Sequence, residues 1–356
     1  MDVIINMLDV KDGDAIIVEL IKPGKSLIMV IDGGDPGYYI TKVKPKLQEV
    51  LVAHGKDAPD IVVCTHYDSD HIGGLIPLIK DYINNIQEVW FHLPPKVLNE
   101  YIQESVHLLE ERGKLEEREK FVGDFEHSKF QNLFKGFQIE TKSLLDSKAN
   151  LILESLSELQ LFVKLIPEDK INQVFYNQRP LPDWPEIQVL GPTRTYFNRL
   201  FPPAKEFDDF IKEEVFELIP DGRVDMRILE MAGIHPCDQL KKDHQTRLST
   251  TNKASIIISI DTINGRYLFT GDAGIESFKA IPEWQTELHN LYFLKIPHHA
   301  SNNNMSQELI EIMQPIYAYN SGFDFQDDAV LQCIASKDRN IRVRTTKNLG
   351  DLMFNE

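Results

Sequence analysis

Near-continuous apolar runs, broken by turn residues, fill the first 33 positions. MDVIINML and AIIVELI are separated by DVKDGD, whose Asp-Gly is a hairpin signal, and SLIMVIDGG follows Pro23-Gly24. Three short strands are expected, apolar enough to be covered on both faces. IVVC (61–64) predicts a fourth strand, followed directly by a polar loop and a helix from Gly74 to Tyr82, and EVWFHL (88–93) predicts a fifth. The pattern then turns helical. LNEYIQESVHLLEERGKLEEREK spaces Tyr101, Val106 and Leu108–Leu109 as a helix would, and a second helical stretch is expected over roughly 143–160. Charges of both signs on these segments fit an ordinary amphipathic layer. Residues 195–250, with Pro202-Pro203, FDDFIKEEVFELI and a polar loop carrying Asp243, His244 and Arg247, read as a second insertion.

From Ala254 the strand pattern returns. ASIIISI, Asn264-Gly265 and RYLFTGD form a hairpin; LYFLKIP (291–297), PIYAYN (315–320) and IRVRTT (341–346) are further strands, with helices between them at 306–313 and 327–336. Strands at both ends with helices between and around them give an α/β fold.

Composition narrows the functional classes. A length of 356 residues would ordinarily suggest two domains, and 42% hydrophobic content excludes wholesale disorder. Lys+Arg number 38 against 55 Asp+Glu, a formal charge of −17. That balance disfavours a broad nucleic-acid or anionic-membrane surface, which needs clustered cations. A compact phosphate site is compatible with it, because a bound metal supplies positive charge locally. Three cysteines, Cys64, Cys237 and Cys333, without a short CxxC spacing are expected to be neither a disulfide framework nor a thiolate zinc site. The acidic N-terminus lacks the charge of a signal peptide, and no apolar run reaches the ~20 residues of a membrane span. A soluble, cytoplasmic protein is the resulting expectation.

The chemistry concentrates at strand ends. THYDSDHIGG (65–74) places His66, Asp68, Asp70 and His71 within a few positions directly after an apolar strand. Imidazole and carboxylate are the donors that zinc and manganese share. On an extended loop alternate residues point the same way, so His66 and Asp68 can converge on one ion while Asp70 and His71 turn toward a second. A polar loop capping a helix through Asp70 is the plainer alternative. YLFTGDA places Asp272 at another strand end, and LKIPHHAS places His298 and His299 at a third. Each alone is weak; together they put metal-type side chains at the carboxyl ends of three strands, where α/β sheets carry their sites.

The ordered set DVKDGDAIIVEL, MVIDGG, THYDSDHIGG, VLGPT, NKASIIISI, YLFTGDA and LKIPHHAS resembles metallo-β-lactamase-fold hydrolases, most nearly the C-terminal hydrolase-like domain of the competence protein ComEC and its free-standing relatives. The resemblance covers roughly 1–93 and 185–346. It implies a four-layer αββα sandwich spanning 1–356 as one domain, with helical insertions at about 95–170 and 195–250. It further implies a site for two divalent ions, zinc first and manganese second. His66, Asp68, Asp70 and His71 match the family's first motif, Asp272 its bridging carboxylate and His298 its final histidine. Asp70 and His299 are the implied catalytic groups, with the choice between His298 and His299 as ligand left open. Two departures stand out. The family's intermediate histidine is missing at Pro192-Thr193, where Asn252 or His244 could approach instead. The Gly-His-Pro element is replaced by a stretch in which Gln326, Asp327 or Asp328 takes the place. Asp12, Gly13 and Asp14 form a turn that fixes a hairpin or lies near the metal edge.

The implied activity is a metal-dependent hydrolase using a metal-bound hydroxide, of the phosphoesterase or nuclease type. Arg342 and Arg344, on one side of a strand, are candidate phosphate contacts beside the alternative of edge-strand protection. Hydrolysis of a small ester (a cyclic nucleotide, phosphocholine diester, thioester or lactone) is the second expectation. A weakly active sandwich whose insertions bind a protein partner is the third.

Overall fold

The computed structural model describes residues 1–96, 98–100, 102–103, 139–203, 206, 209–211, 213–214 and 235–356, without the side chains of 139–151 and 243. The helical spacing read at Tyr101, Val106 and Leu108–Leu109 lies outside the described residues.

The three N-terminal strands are β1 (Asp2–Met7), β2 (Ile16–Lys22) and β3 (Lys25–Ile31), and they pair antiparallel in series. Parallel strands β4 (Ile61–Val63), β5 (Glu88–Trp90) and β6 (Ile171–Asn172) extend the sheet beyond β3. The second sheet comprises β7 (Ile187–Gly191), β8 (Ile257–Thr262), β9 (Gly265–Phe269), β10 (Phe293–Lys295), β11 (Tyr317–Asn320) and β12 (Arg342–Thr345). A final strand, β13 (Leu352–Asn355), crosses back to pair with β1 and close the edge of the first sheet. Neither β6 nor β13 is among the strands expected from the sequence.

Alternation along each strand explains the layering. Val3, Ile5 and Met7 of β1, Ile16, Val18 and Leu20 of β2, and Leu27, Met29 and Ile31 of β3 meet Val189, Ile258, Tyr267, Phe269 and Phe293 in one apolar layer between the sheets. The opposite residues Ile17, Ile28, Val30 and Val62 face helices α1 (Lys44–His54), α2 (Ser69–Ile72), α3 (Leu75–Tyr82) and α4 (Ile139–Leu165). On the far side, Leu190, Ile257, Leu268, Leu294 and Ala318 face α5 (Ile275–Lys279), α6 (Gln307–Met313) and α7 (Asp328–Ser336). The result is helix–sheet–sheet–helix, a four-layer α/β sandwich. Both faces of each sheet are covered, which is why the strands read as continuous apolar runs.

Helix α4 belongs to the outer layer. Its Leu156, Leu159 and Phe162 are buried in the helical-side core, and Phe162 meets Phe91 edge-on at 5.3 Å. Each such side chain contributes about 1.5–3 kcal/mol by leaving water.

One expectation is overturned. Cys237 and Cys333 form a disulfide that ties the segment before β8 to α7, while Cys64 is free and buried. Sequence spacing could not show this, since the two lie 96 residues apart and meet only through the fold. Disulfides persist in oxidising compartments, so the pair weighs against the reducing, cytoplasmic setting expected from cysteine count. None of the described helices is long and apolar enough to cross a membrane. Closing a loop of this length restricts the unfolded chain by about 4.7 kcal/mol. At roughly 1.3 °C per kcal/mol for a chain of this size, Cys237→Ser should lower Tm by about 6 °C. Calorimetry with and without reductant checks this: reductant should reproduce the shift in the parent and leave the variant unmoved.

Candidate metal centre

The strand ends deliver their polar side chains to one edge of the sandwich. After β4 the chain stays extended to Asp68 (φ −71°, ψ 144°) and then makes the single turn α2, whose first amides, His71 N and Ile72 N, bond to Asp68 O at 2.9 Å each. The loop is therefore extended only in its first half, and Asp70 and His71 project from a helical turn. Gly33 and Gly74 let two backbones touch behind it: a Cβ on Gly74 would sit 1.9 Å from Gly33 O.

Asp272 is the hub. Its Oδ2 lies 3.3 Å from His71 Nε2, 3.7 Å from His299 Nε2, and 3.8 Å from both His66 Nε2 and His298 Nε2. On one side, Asp68 Oδ2 is 3.6 Å from His66 Nε2. On the other, Asp70 Oδ2 is 3.8 Å from His71 Nε2 and 3.7 Å from His299 Nε2. Two donor groups thus share Asp272: His66 with Asp68, and Asp70 with His71 and His299.

Each imidazole is held by its outer nitrogen. His71 Nδ1 pairs with Asp32 Oδ2 at 2.9 Å, His298 Nδ1 with Asn304 Oδ1 at 2.9 Å, and His299 Nδ1 with Ser321 O at 3.1 Å. Thr65 Oγ1 donates to Asp32 Oδ2 at 2.6 Å, so its lone pairs are left for His66 Nδ1 at 3.0 Å. Such partners fix the tautomer that turns Nε2, with its lone pair, toward a metal. His66, His71 and His299 Nε2 are all buried without a hydrogen-bond partner among the described residues. Buried polar atoms are rarely left so, and three converging on one carboxylate fit a bound cation.

The histidine pair is delivered by an unusual turn. His298, His299 and Ala300 all have positive φ (44°, 53° and 66°), and the two rings meet edge-on with centroids 5.7 Å apart, each Nε2 within 3.8 Å of Asp272 Oδ2. Non-glycine residues there cost about 1–3 kcal/mol each and persist at sites that require them. Gly322 (φ +87°) backs the turn closely: a Cβ would meet the His299 ring at 2.4 Å.

Electrostatics agree. Burial alone would raise Asp272 and Asp70, but the surrounding histidines hold both below the ordinary carboxylate range, with Lys295 assisting at Asp272. Burial would lower His71 and His299, but the carboxylates, Asp272 foremost, hold both above the ordinary histidine value. Without metal the site gathers protons, which metal ions would displace.

Residues 9–140 match the metallo-beta-lactamase superfamily model. The match covers a little over a third of the chain and includes Asp14, Asp32, His66, Asp68, Asp70 and His71. Asp272, His298 and His299 come from the other half, through the second sheet. No curated protein matches the chain significantly. The superfamily match, the sandwich and the clustered His/Asp donors agree on a divalent-metal site of hydrolase type.

Several sequence candidates are placed elsewhere. Arg342 and Arg344 do share a face, but they lie over Tyr317 and Tyr319 at 5.4 and 5.8 Å on the edge strand, and no described contact joins them to the cluster. His244 is exposed. Asp327 caps α7 and accepts from Asn302, Gln326 turns to Asn320 and Asp328, and Phe325 packs on the His298 ring at 4.7 Å. Asn252 is buried, its backbone N–H donating to Ser249 Oγ.

Other partners in the site received no role from the sequence: Asp32, Thr65, Lys295, Asn304 and Ser321. Asp32 carried a signal, since IDGG repeats the strand-end Asp-Gly pattern, as did Lys295, a lone cation in the apolar run LYFLKIP.

Helix α4 also reaches the site. Ser155 Oγ accepts from Ser69 N at 3.1 Å, and half-buried Glu158 lies about one turn further along α4. Burial, aided by Asp35, Glu154 and Asp70, pushes the Glu158 carboxyl up to about 6. A raised carboxyl favours folding below its unfolded value and loses that contribution as pH climbs through about 6. Glu158→Gln should therefore stabilise the chelated protein by about 1 kcal/mol at pH 8, allowing for solvent screening, and by nothing at pH 4. Denaturant melts at the two pH values check it.

Proposed function

We propose that the protein is a metal-dependent hydrolase of phosphoric esters. The reading is supported above all by the three buried, unpartnered imidazole nitrogens arranged around Asp272 Oδ2. His66 and Asp68 would hold one ion and Asp70, His71 and His299 a second, with Asp272 shared. His298 would be the further imidazole on the shared carboxylate, steadied by Asn304. A mixed set of imidazoles and carboxylates suits zinc or manganese. When bound, divalent ions supply Lewis acidity toward the ester and lower the pKa of water at the site. The chain's own residues orient and protonate. Asp32 and Ser321 fix the histidine tautomers. Asp70, part-exposed as Asp68 also is, is placed to take a proton from incoming water at Oδ2.

The ComEC-like resemblance favours phosphodiesters. The net charge, and the placement of Arg342 and Arg344 away from the cluster, favour a compact substrate over a long polyanion. Nucleic acid is the second reading. Manganese- and zinc-loaded protein assayed on a cyclic nucleotide, bis(p-nitrophenyl) phosphate, an oligonucleotide and a carboxylic thioester decides between them. Turnover of the thioester alone would sink the phosphoric-ester reading, and a steep salt dependence would select the polymer.

A further inference from the structure

We propose that Lys295 is a positioning residue, a fixed internal cation that orients the shared carboxylate of the metal centre; this rests on the metal reading above. Lys295 ends β10 and is fully buried. Its ammonium donates to Gly271 O at 3.0 Å, pairs closely with Asp14, and lies 3.6 Å from Asp272 Oδ1. Four imidazoles surround Oδ2 of that same Asp272. Oδ1 is buried and has no hydrogen-bond partner among the described residues, so the ammonium is the charge that faces it. The carboxylate is therefore divided: one oxygen turned to a permanent cation, the other to the metal donors.

The position of Lys295 has two consequences. Asp14 belongs to the turn between β1 and β2, whereas Asp272 and Lys295 belong to the second sheet. The ammonium thus joins both halves of the sandwich at the site, and the Ser321 hydroxyl, also from the second sheet, donates to Asp14 as well. In addition, Asp14, Asp32 and His71 form a third group with metal-ligand spacing. Asp14 in that group is already neutralised by Lys295, and His71 Nδ1 is committed to Asp32. Lys295 therefore keeps the centre at two ions and fixes which oxygen of Asp272 they share.

The test separates orientation from mere charge pairing. Lys295→Met leaves Asp14 buried and unpaired, which alone would weaken the fold. The double variant Lys295→Met/Asp14→Asn removes both charges and should recover the melting temperature of the parent. Metal-free parent, single and double variants are titrated with Co2+, read by calorimetry and by the visible ligand-field bands. In the double variant the weaker ion should bind at least tenfold less tightly, with altered bands, because Asp272 is free to rotate. A double variant that binds two equivalents with the affinity and spectrum of the parent would overturn the proposal. If the double variant does not fold, Lys295→Arg decides: retained charge at changed reach should shift the cobalt bands, and an unchanged spectrum counts against positioning. Failure of the metal reading itself is distinct, since the parent would then bind no cobalt at the site.

Discussion

Alanine at Asp272 should strip the protein of most of its metal and reduce hydrolysis at least a hundredfold. Asp272 Oδ2 is within 3.8 Å of four imidazole nitrogens drawn from two sequence motifs more than 200 positions apart. Loss of the residues that merely orient ligands typically lowers metal affinity or activity 10–100-fold, so a ligand shared by two ions should exceed that range. Its removal also takes away the one carboxylate, among the described residues, that faces Lys295 and all four histidines, so cations of every kind gather less readily. Asp272→Asn keeps the shape but not the charge and should fall between alanine and the parent. Elemental analysis after gel filtration, paired with phosphodiester turnover, is the measurement. Two equivalents of metal retained by Asp272→Ala at parental turnover would refute the shared-ligand assignment.

The difference between what was legible in the sequence and what was not follows from the range of the interactions. Strands β1–β4, the β8–β9 hairpin and the α3 helix are local patterns, and each has a period or a turn signal that a reader of the sequence can see. His66, Asp68, Asp70 and His71 are legible for the same reason, being crowded into one loop. Asp272 and His298–His299 emerge only because they repeat the strand-end placement. Lys295 and Asp32 escape because their significance is a partner, not a pattern: a lysine in an apolar strand has meaning only once Asp14 is seen facing it. The Cys237–Cys333 bond is hidden likewise, by a long separation and the absence of spacing. Arg342 and Arg344 show the converse error of scale. Their shared face was correctly inferable from strand geometry, but which surface that face meets is set by sheet order, with β12 at the edge and Tyr317 and Tyr319 beside it.

Chelation should lower the melting temperature by roughly 7 °C, and by more as pH rises. On the two-ion reading, ions each present at about a hundred times their dissociation constant would stabilise the folded state by about 5 kcal/mol together, which at this chain length is roughly 7 °C. The pH dependence follows from the charges around Asp272. In the metal-free protein, His71 and His299 titrate above the ordinary histidine value, so their protonated forms favour folding below about 6.5 and that contribution fades as pH climbs through their raised values. Asp70 and Asp272 titrate below the ordinary carboxylate value, so their contribution is present above about 4 and is lost only in acid. Between these limits protons on the imidazoles do part of the work that metal ions do. At pH 6 the stripped site is held together by imidazolium–carboxylate pairs, and metal must displace those protons to bind. As pH climbs through their raised values the imidazoles lose their protons while the carboxylates stay charged, leaving Lys295 as the chief counter-charge; stripped protein is then weakest and metal binds without competition. The gap between loaded and chelated melts should therefore widen from pH 6 to pH 9. A gap that narrows over that range would mean the histidines do not face the ions, and equal melts at every pH would mean that no ion binds there.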